Sequence, residues 1–182
     1  MTLEYKLRDV QRRKYIFVPL LKLVAIVAVG SIISVTAFGI RKDEIQTVIG
    51  WTLVWIFFMH FLPLLIMAIR HNQLSKDASF AFDSSTNTYQ YKGKDISLSF
   101  ALAEIDKVVK VVSPPKYDER MDFLGFGYFY YWKIVLVDGR TLSMSCMLLD
   151  VDSFPGRDLS KEKKIFPIPP SNQSLRLHPS QS

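Results

Sequence analysis

Two long apolar stretches near the start of the chain give way, after Arg70, to short runs in which apolar and polar residues alternate. Residues 23–40 carry no charge, and residues 15–21 extend that stretch upstream past a single interruption, Lys22. A second uncharged stretch, residues 47–69, is rich in Trp, Phe, Leu and Ile. At about 1.5 Å of rise per residue, roughly 20 helical residues cross the hydrocarbon layer of a bilayer, so the pattern predicts transmembrane helices over about 16–40 and 47–69. The connection, Arg41, Lys42, Asp43 and Glu44, is short enough to force an antiparallel hairpin. The first apolar run is too long for a signal peptide and lacks a small-residue cleavage site, so it is expected to stay in the protein. Pro63 removes one backbone donor and is expected to bend the second helix.

The alternation that follows predicts strands. Phe80 and Phe82, then Tyr89 and Tyr91, place aromatics on one face of a hairpin turned by residues 83–87. After a turn at Gly93, Lys94 and Asp95, Ile96, Leu98 and Phe100 alternate with serines as a third strand, and the β-branched residues 107–112 make a fourth. The strongest local signal spans residues 128–147. An aromatic and β-branched run ends at Asp138-Gly139, and Leu142, Met144 and Cys146 then alternate with Thr141, Ser143 and Ser145. Asp-Gly between two such runs is the preferred two-residue hairpin turn. On this alternation Cys146 reads as a buried small apolar residue rather than a reactive thiol.

A loop of unusual length, residues 113–127, joins the fourth and fifth strands. Pro114 and Pro115 stiffen its beginning, and Phe123, Leu124 and Phe126 with Gly125 and Gly127 close it. Its aromatic end is a candidate contact surface, with three destinations: the sheet, the bilayer or a partner. Beyond Leu149 the pattern dissolves, and the Pro- and Ser-rich residues 167–182 read as a disordered tail. The expected organisation is therefore a basic N-terminal segment (1–14), two transmembrane helices (15–70), a cytoplasmic β domain (71–166) and the tail (167–182).

Charge orients this arrangement. Lys6, Arg8, Arg12, Arg13 and Lys14 precede the first span, and Arg70 and Lys76 follow the second, which places both termini on the cytoplasmic side of an inner membrane. Of the net charge of +6 over 182 residues, +4 falls in residues 1–69 and +2 in residues 70–182, where fifteen Lys and Arg face thirteen Asp and Glu. Such basicity serves topology and anchoring rather than a nucleic-acid surface. Residues 1–14 have two readings: an interfacial helix carrying Leu3, Leu7 and Val10 on one face, with Arg12, Arg13 and Lys14 toward anionic lipid, or a charged flank that only sets topology. Gly30, Ser34 and Ala37 form a small-residue face suited to packing on another helix or another copy. His60 is the candidate intramembrane polar site, its alternative being a neutral ring hydrogen-bonded to a neighbouring helix.

The chemistry-bearing residues are sparse. One cysteine and three distant histidines supply neither a disulfide framework nor a metal set, so no cofactor or metal is expected. There is no Gly-rich phosphate loop, nucleophile elbow or Ser/His/Asp arrangement, which argues against an enzyme.

Two spans followed by a small antiparallel β domain resemble bacterial membrane proteins with a PH-like domain, the YcxB-like and related groups. The resemblance rests on the layout, on residues 80–91, on Ala103-Glu104-Ile105, and on the stretch from Tyr131-Trp132-Lys133-Ile134 through Asp138-Gly139-Arg140 to Ser145-Cys146-Met147-Leu148. It implies a curled, half-open sheet closed by a C-terminal helix, although Pro155 and Gly156 interrupt the only region that could form one. The fold class expected is α+β: a transmembrane helical hairpin with a small antiparallel β domain. The function expected is a non-enzymatic, membrane-anchored binding or regulatory module facing a protein partner or lipid headgroups, with no nucleic acid. The alternative is a two-span subunit of an oligomeric membrane assembly or pore.

Overall fold

The computed structural model describes residues 2–7, 9–38, 47, 50–51, 54–122, 125–155 and 158–172. The chain begins with a strand, Thr2–Lys6 (β1), and this overturns both readings of the N-terminal segment over those residues. β1 pairs antiparallel with Ser79–Asp83 (β2), Thr2 opposite Asp83 and Lys6 opposite Ser79. Alternation of Leu3 and Tyr5 fits a strand as well as their spacing fits a helix, and only the partner decides between the two. Tyr5 settles against Phe80, ring centroids 6.2 Å apart.

Between these paired strands lie the long helices of the described residues. A short helix, Asp9–Arg12 (α1), runs through a π-helical segment, Arg13–Phe17, into the long helix Val18–Phe38 (α2). Downstream, another π-helical segment, Phe57–Phe61, leads into Leu62–Ser75 (α3), with Pro63 in its first turn. A wider π turn, rather than a measured bend, is what coincides with the place where Pro63 cannot donate to the preceding turn. The linker residues 41–44 lie outside the described residues.

β2, Thr88–Gly93 (β3) and Ile96–Ala101 (β4) continue the first sheet in the order β1-β2-β3-β4. The second sheet runs Thr141–Ser145 (β7), Tyr130–Leu136 (β6), Ile105–Val112 (β5) and Ser160–Lys163 (β8), with β8 parallel to β5. A four-residue helix, Pro114–Tyr117 (α4), starts the long β5–β6 connection. The β6–β7 hairpin is confirmed with a different turn. Leu136 N–H donates to Arg140 O and Gly139 N–H to Leu136 O, leaving a three-residue loop in which Gly139 has φ +85° and Asp138 keeps negative φ. Asp138 instead uses its carboxylate to accept from the Arg140 backbone N–H at 2.9 Å, which holds the tighter first part of the turn.

Aromatic rings join the sheets. Tyr89 stacks on Phe82 and Phe100, and Phe154 lies within 6 Å of the Phe80, Tyr89 and Trp132 ring centroids. Trp132 is fully buried and donates its indole N–H to Leu149 O at 3.0 Å.

No C-terminal helix closes this core among the described residues. α3 does the covering: Leu64, Met67, Ala68, His71 and Ser75 are buried at helical spacing and join the domain core. The helix and the β domain therefore share residues that sequence alone assigns to the membrane. The start of the expected tail is also ordered. Pro167, Pro169 and Asn172 are buried, and Asn172 bonds both the Ser143 N–H and the Ser143 carbonyl. Pairing a buried strand edge in this way satisfies backbone groups that would otherwise be orphaned, which outweighs the cost of ordering a Pro-rich segment. Residues 173–182 lie outside the described residues.

Candidate ligand cleft and helix–domain junction

Phe129 stands where both helices reach the β domain. Its buried ring is 6.2 Å from Tyr15, in the first π-helical segment, and 5.2 Å from His71 on α3. On the α3 side the junction is dry. His71 is fully buried, with Nε2 2.9 Å from Pro167 O and Nδ1 2.9 Å from Ser145 Oγ. A carbonyl only accepts, so Nε2 carries the proton and Nδ1 accepts from the Ser145 hydroxyl. Burial pulls the His71 pKa down to about 4, which keeps the ring neutral. Cys146 Sγ lies 3.6 Å from the same Nδ1, and burial pushes the thiol up to about 12. A neutral serine–histidine pair sealed from solvent and an un-ionised thiol form a structural clamp, in agreement with the apolar reading of Cys146.

The Tyr15 side is polar and open. Asp150, just past β7, accepts from Lys14 Nζ at 2.6 Å, from the Tyr15 hydroxyl at 2.5 Å and from the Tyr130 hydroxyl at 3.2 Å. Burial alone would raise this carboxyl, but the hydrogen bonds from Lys14, Tyr15 and Tyr130 outweigh it and hold it below the usual range. Beside it opens a cleft of about 850 Å³, a size suited to a small ligand. Its basic lining comprises Lys14, Lys22, Lys110, Lys116, Arg120 and Lys161, set against Glu119, Asp122, Asp150 and Asp152.

Lys110 anchors the floor. It projects from β5 yet is only 5% exposed, with Nζ 4.4 Å from the Tyr130 ring centroid and 4.9 Å from that of Trp132. Nζ reaches the Val151 and Asp152 carbonyl oxygens at 3.2 and 3.4 Å, and its carboxylate neighbour, the solvent-exposed Asp152, is 3.8 Å away. Burial first, and then the facing charge of Lys116, lower the Lys110 pKa. Lys116 lies over the same Tyr130 ring at 4.6 Å and has no carboxylate within salt-bridge distance among the described residues. Cations on aromatic faces gain from the ring quadrupole, which helps hold two lysines close together.

The wall of the cleft is ordered by Asp122. Its two carboxylate oxygens accept from Gly125 N–H at 3.0 Å and Gly127 N–H at 2.7 Å. A Cβ at Gly127 would come within 2.9 Å of Asp122 Oδ2, so a larger residue there would push the carboxylate off its two backbone N–H partners.

The sequence profile of a PH domain matches residues 4–156. The chain belongs to this PH domain family. The match begins inside β1 and so runs across the helices, consistent with a first strand separated from its neighbour by the helical insertion. No curated protein and no solved structure matches the chain. PH domains are binding or regulatory modules for lipids or proteins and are typically non-catalytic; nothing found in this one points to a reaction. Among the described residues no group of His, Cys, Asp or Glu could hold a metal ion.

Among the described residues, Lys14 alone of the sequence-derived site residues lines the cleft of this PH domain. Arg13 is exposed, and Arg12 ends α1. Phe126 is partly buried against the edge of Phe166, ring centroids 5.6 Å apart, and lies 6.3 Å from His60. His60 thus faces the β5–β6 connection, and its buried Nδ1 has no hydrogen-bond partner among the described residues. Phe123 and Leu124 lie outside the described residues. Sequence reasoning missed Lys110, Lys116, Tyr130 and Asp150. The available signal was Lys110 itself, a charge flanked on both sides by pairs of valines in β5.

Proposed function

We propose that this PH domain is a non-enzymatic binding or regulatory module anchored in the cytoplasmic membrane by the helices inserted between β1 and β2, with both termini in the cytoplasm. The observation that carries the proposal is topological. The chain leaves the sheet at Lys6 and rejoins it at Ser79 as the hydrogen-bonded neighbour of the strand it left. Any excursion into a bilayer must therefore return to its starting side, as a two-helix hairpin does.

Two further features support it. The inserted helices expose large apolar side chains, among them Leu21, Val24, Ile32 and Ile33 on α2, and Trp55, Phe57 and Phe58 ahead of α3. Exposed apolar area on this scale is costly in water and favourable in lipid. Among the described residues one helix, Val54–Ser75, is long and apolar enough to cross a membrane. Because α3 gives Leu64, Met67 and Ala68 to the domain core, the membrane boundary on this side falls upstream of Leu64 in this reading. The domain then rests against the inner leaflet with the β5–β6 connection beside it.

Alkaline carbonate washing of membranes tests the anchor, and a reporter fused after Ser182 tests the orientation. The expected results are retention in the membrane pellet and a cytoplasmic reporter signal. Recovery of the chain in the soluble wash, or an external reporter, overturns the reading.

A further inference from the structure

We propose that the outer edge of β4 pairs antiparallel with the β4 edge of a second copy of this chain, fusing two four-stranded sheets into one across a two-fold axis. The inference concerns the β domain alone and does not depend on the membrane reading.

The hydrogen-bond pattern identifies which groups of β4 face outward. Leu102 N–H donates to Asn87 O at 2.9 Å, continuing the register in which Tyr89 lies opposite Phe100, Tyr91 opposite Leu98 and Gly93 opposite Ile96. In an antiparallel ladder every second pair exchanges hydrogen bonds, so Ile96, Leu98 and Phe100 turn their backbone groups to β3 while Ser97, Ser99 and Ala101 direct theirs away from it. Ala101 agrees with this assignment, since its N–H donates to the Glu104 carboxylate at 2.6 Å. Among the described residues the outward N–H and C=O groups of Ser97 and Ser99 have no protein partner.

The other three sheet edges are protected. β1 carries Glu4 and Lys6, bridged at 2.7 Å. β8 is Ser-Lys-Glu-Lys, with Lys161 and Lys163 held by Glu119 and Asp118. On β7, Asn172 takes both backbone groups of Ser143. Charges and caps of this kind keep an exposed strand from pairing with another chain. β4, Ile-Ser-Leu-Ser-Phe-Ala, has no charge, and its one capped group is the Ala101 N–H.

This edge is complementary to itself. The register that uses the N–H and C=O of both serines sets Ser97 of each copy opposite Ser99 of the other, about a central pair of Leu98 residues, and brings no like charges together. It leaves the Ala101 N–H with Glu104. It also carries the exposed Lys94, at the hairpin tip of one copy, to the turn that bears the exposed Glu104 of the other. An unrelated extended peptide would match the hydrogen bonds without this charge pairing.

The test uses the full purified chain in detergent micelles, with protein mass resolved from bound detergent by light scattering. A dimer is expected at micromolar concentration. Ser97→Lys with Ser99→Lys sets like charges opposite each other at two cross-strand pairs and should weaken the dimer about tenfold. Ser97→Lys with Ser99→Glu sets opposite charges at the same two pairs and should restore it. Both serines are exposed, so neither charge pattern enters the core. Ser99→Pro removes an N–H that β3 does not use, so the melting temperature should hold while the dimer is lost. A monomeric unsubstituted chain, a dimer indifferent to Ser97→Lys with Ser99→Lys, or equal dissociation by the two charge patterns each overturns the proposal. A monomer whose Ser97 and Ser99 amides resist hydrogen exchange assigns the edge to another occupant and overturns it as well.

Discussion

The two helices join the β domain through neighbouring residues of one segment, yet the junctions are built from opposite chemistry. At α3, His71 is sealed between Ser145 and Pro167, its ring neutral and both nitrogens paired. At the first π-helical segment, Lys14 and Tyr15 hold Asp150 through charged hydrogen bonds at the rim of an open cleft. Phe129 touches both sides, so distance does not separate them. The difference is water. A dry junction draws its strength from burial and tolerates no unpaired group, whereas a wet one draws it from charge, is screened, and leaves room for a ligand.

The largest effect that would break this contrast is at the sealed side. Met67 is fully buried under α3, and Met67→Ala should cost about 3 kcal/mol of stability by leaving a cavity, read from thermal or denaturant unfolding of the purified chain. An effect under about 1 kcal/mol would mean that α3 is only loosely docked.

Acid should then separate the two junctions by pH. His71 stays neutral in the fold down to about pH 4 but takes up a proton near 6.5 once unfolded. The unfolded chain binds more protons between those values, so stability falls as pH drops from 6.5 to 4, by up to roughly 3 kcal/mol at about 1.4 kcal/mol per pH unit. Asp150 has its pKa lowered in the fold, so its contribution is present above the ordinary carboxylate range and is lost only below it, as the folded carboxyl takes up a proton. His71→Gln should flatten the first window and leave the second. A chain whose stability is flat between pH 6.5 and 4 would refute the sealed, neutral histidine.

A smaller effect is expected at the open side. Asp150→Asn should cost about 1–2 kcal/mol, since one ion pair and the ionic character of two tyrosine hydrogen bonds are lost from a partly solvated site. Smallest of all is Gly139→Ala in the β6–β7 turn, which meets no neighbour within 4 Å but must hold φ near +85°. It should cost about 1 kcal/mol, and leave both junctions untouched.

Local pattern was enough wherever an element is defined by its own residues and one face. Phe80, Phe82, Tyr89 and Tyr91, and then Trp132, Ile134, Leu142 and Met144, announce buried strand faces because period-two alternation is a property of the strand itself. The uncharged helical runs and the hairpin at Asp138-Gly139 are legible for the same reason, as is the inert Cys146. What escaped were features whose meaning depends on a distant partner. Thr2–Lys6 becomes a strand only because β2, more than seventy residues later, offers it an edge. Leu64 and Met67 look equally apolar whether they face lipid or a domain core, since hydropathy does not say which nonpolar medium covers a side chain. Pro167 and Asn172 resemble a tail until His71 and Ser143 accept or donate to them. Lys110 and Lys116, far from Lys14 and Asp150 in the chain, acquire a shared cleft only when β5 and the helix start are brought together. Sequence thus determined the elements and their apolar faces, because these follow from short-range periodicity and sterics. The tertiary structure decided which faces meet, and so where the charges converge, because pairing across long loops is set by the burial and hydrogen bonding of the whole fold.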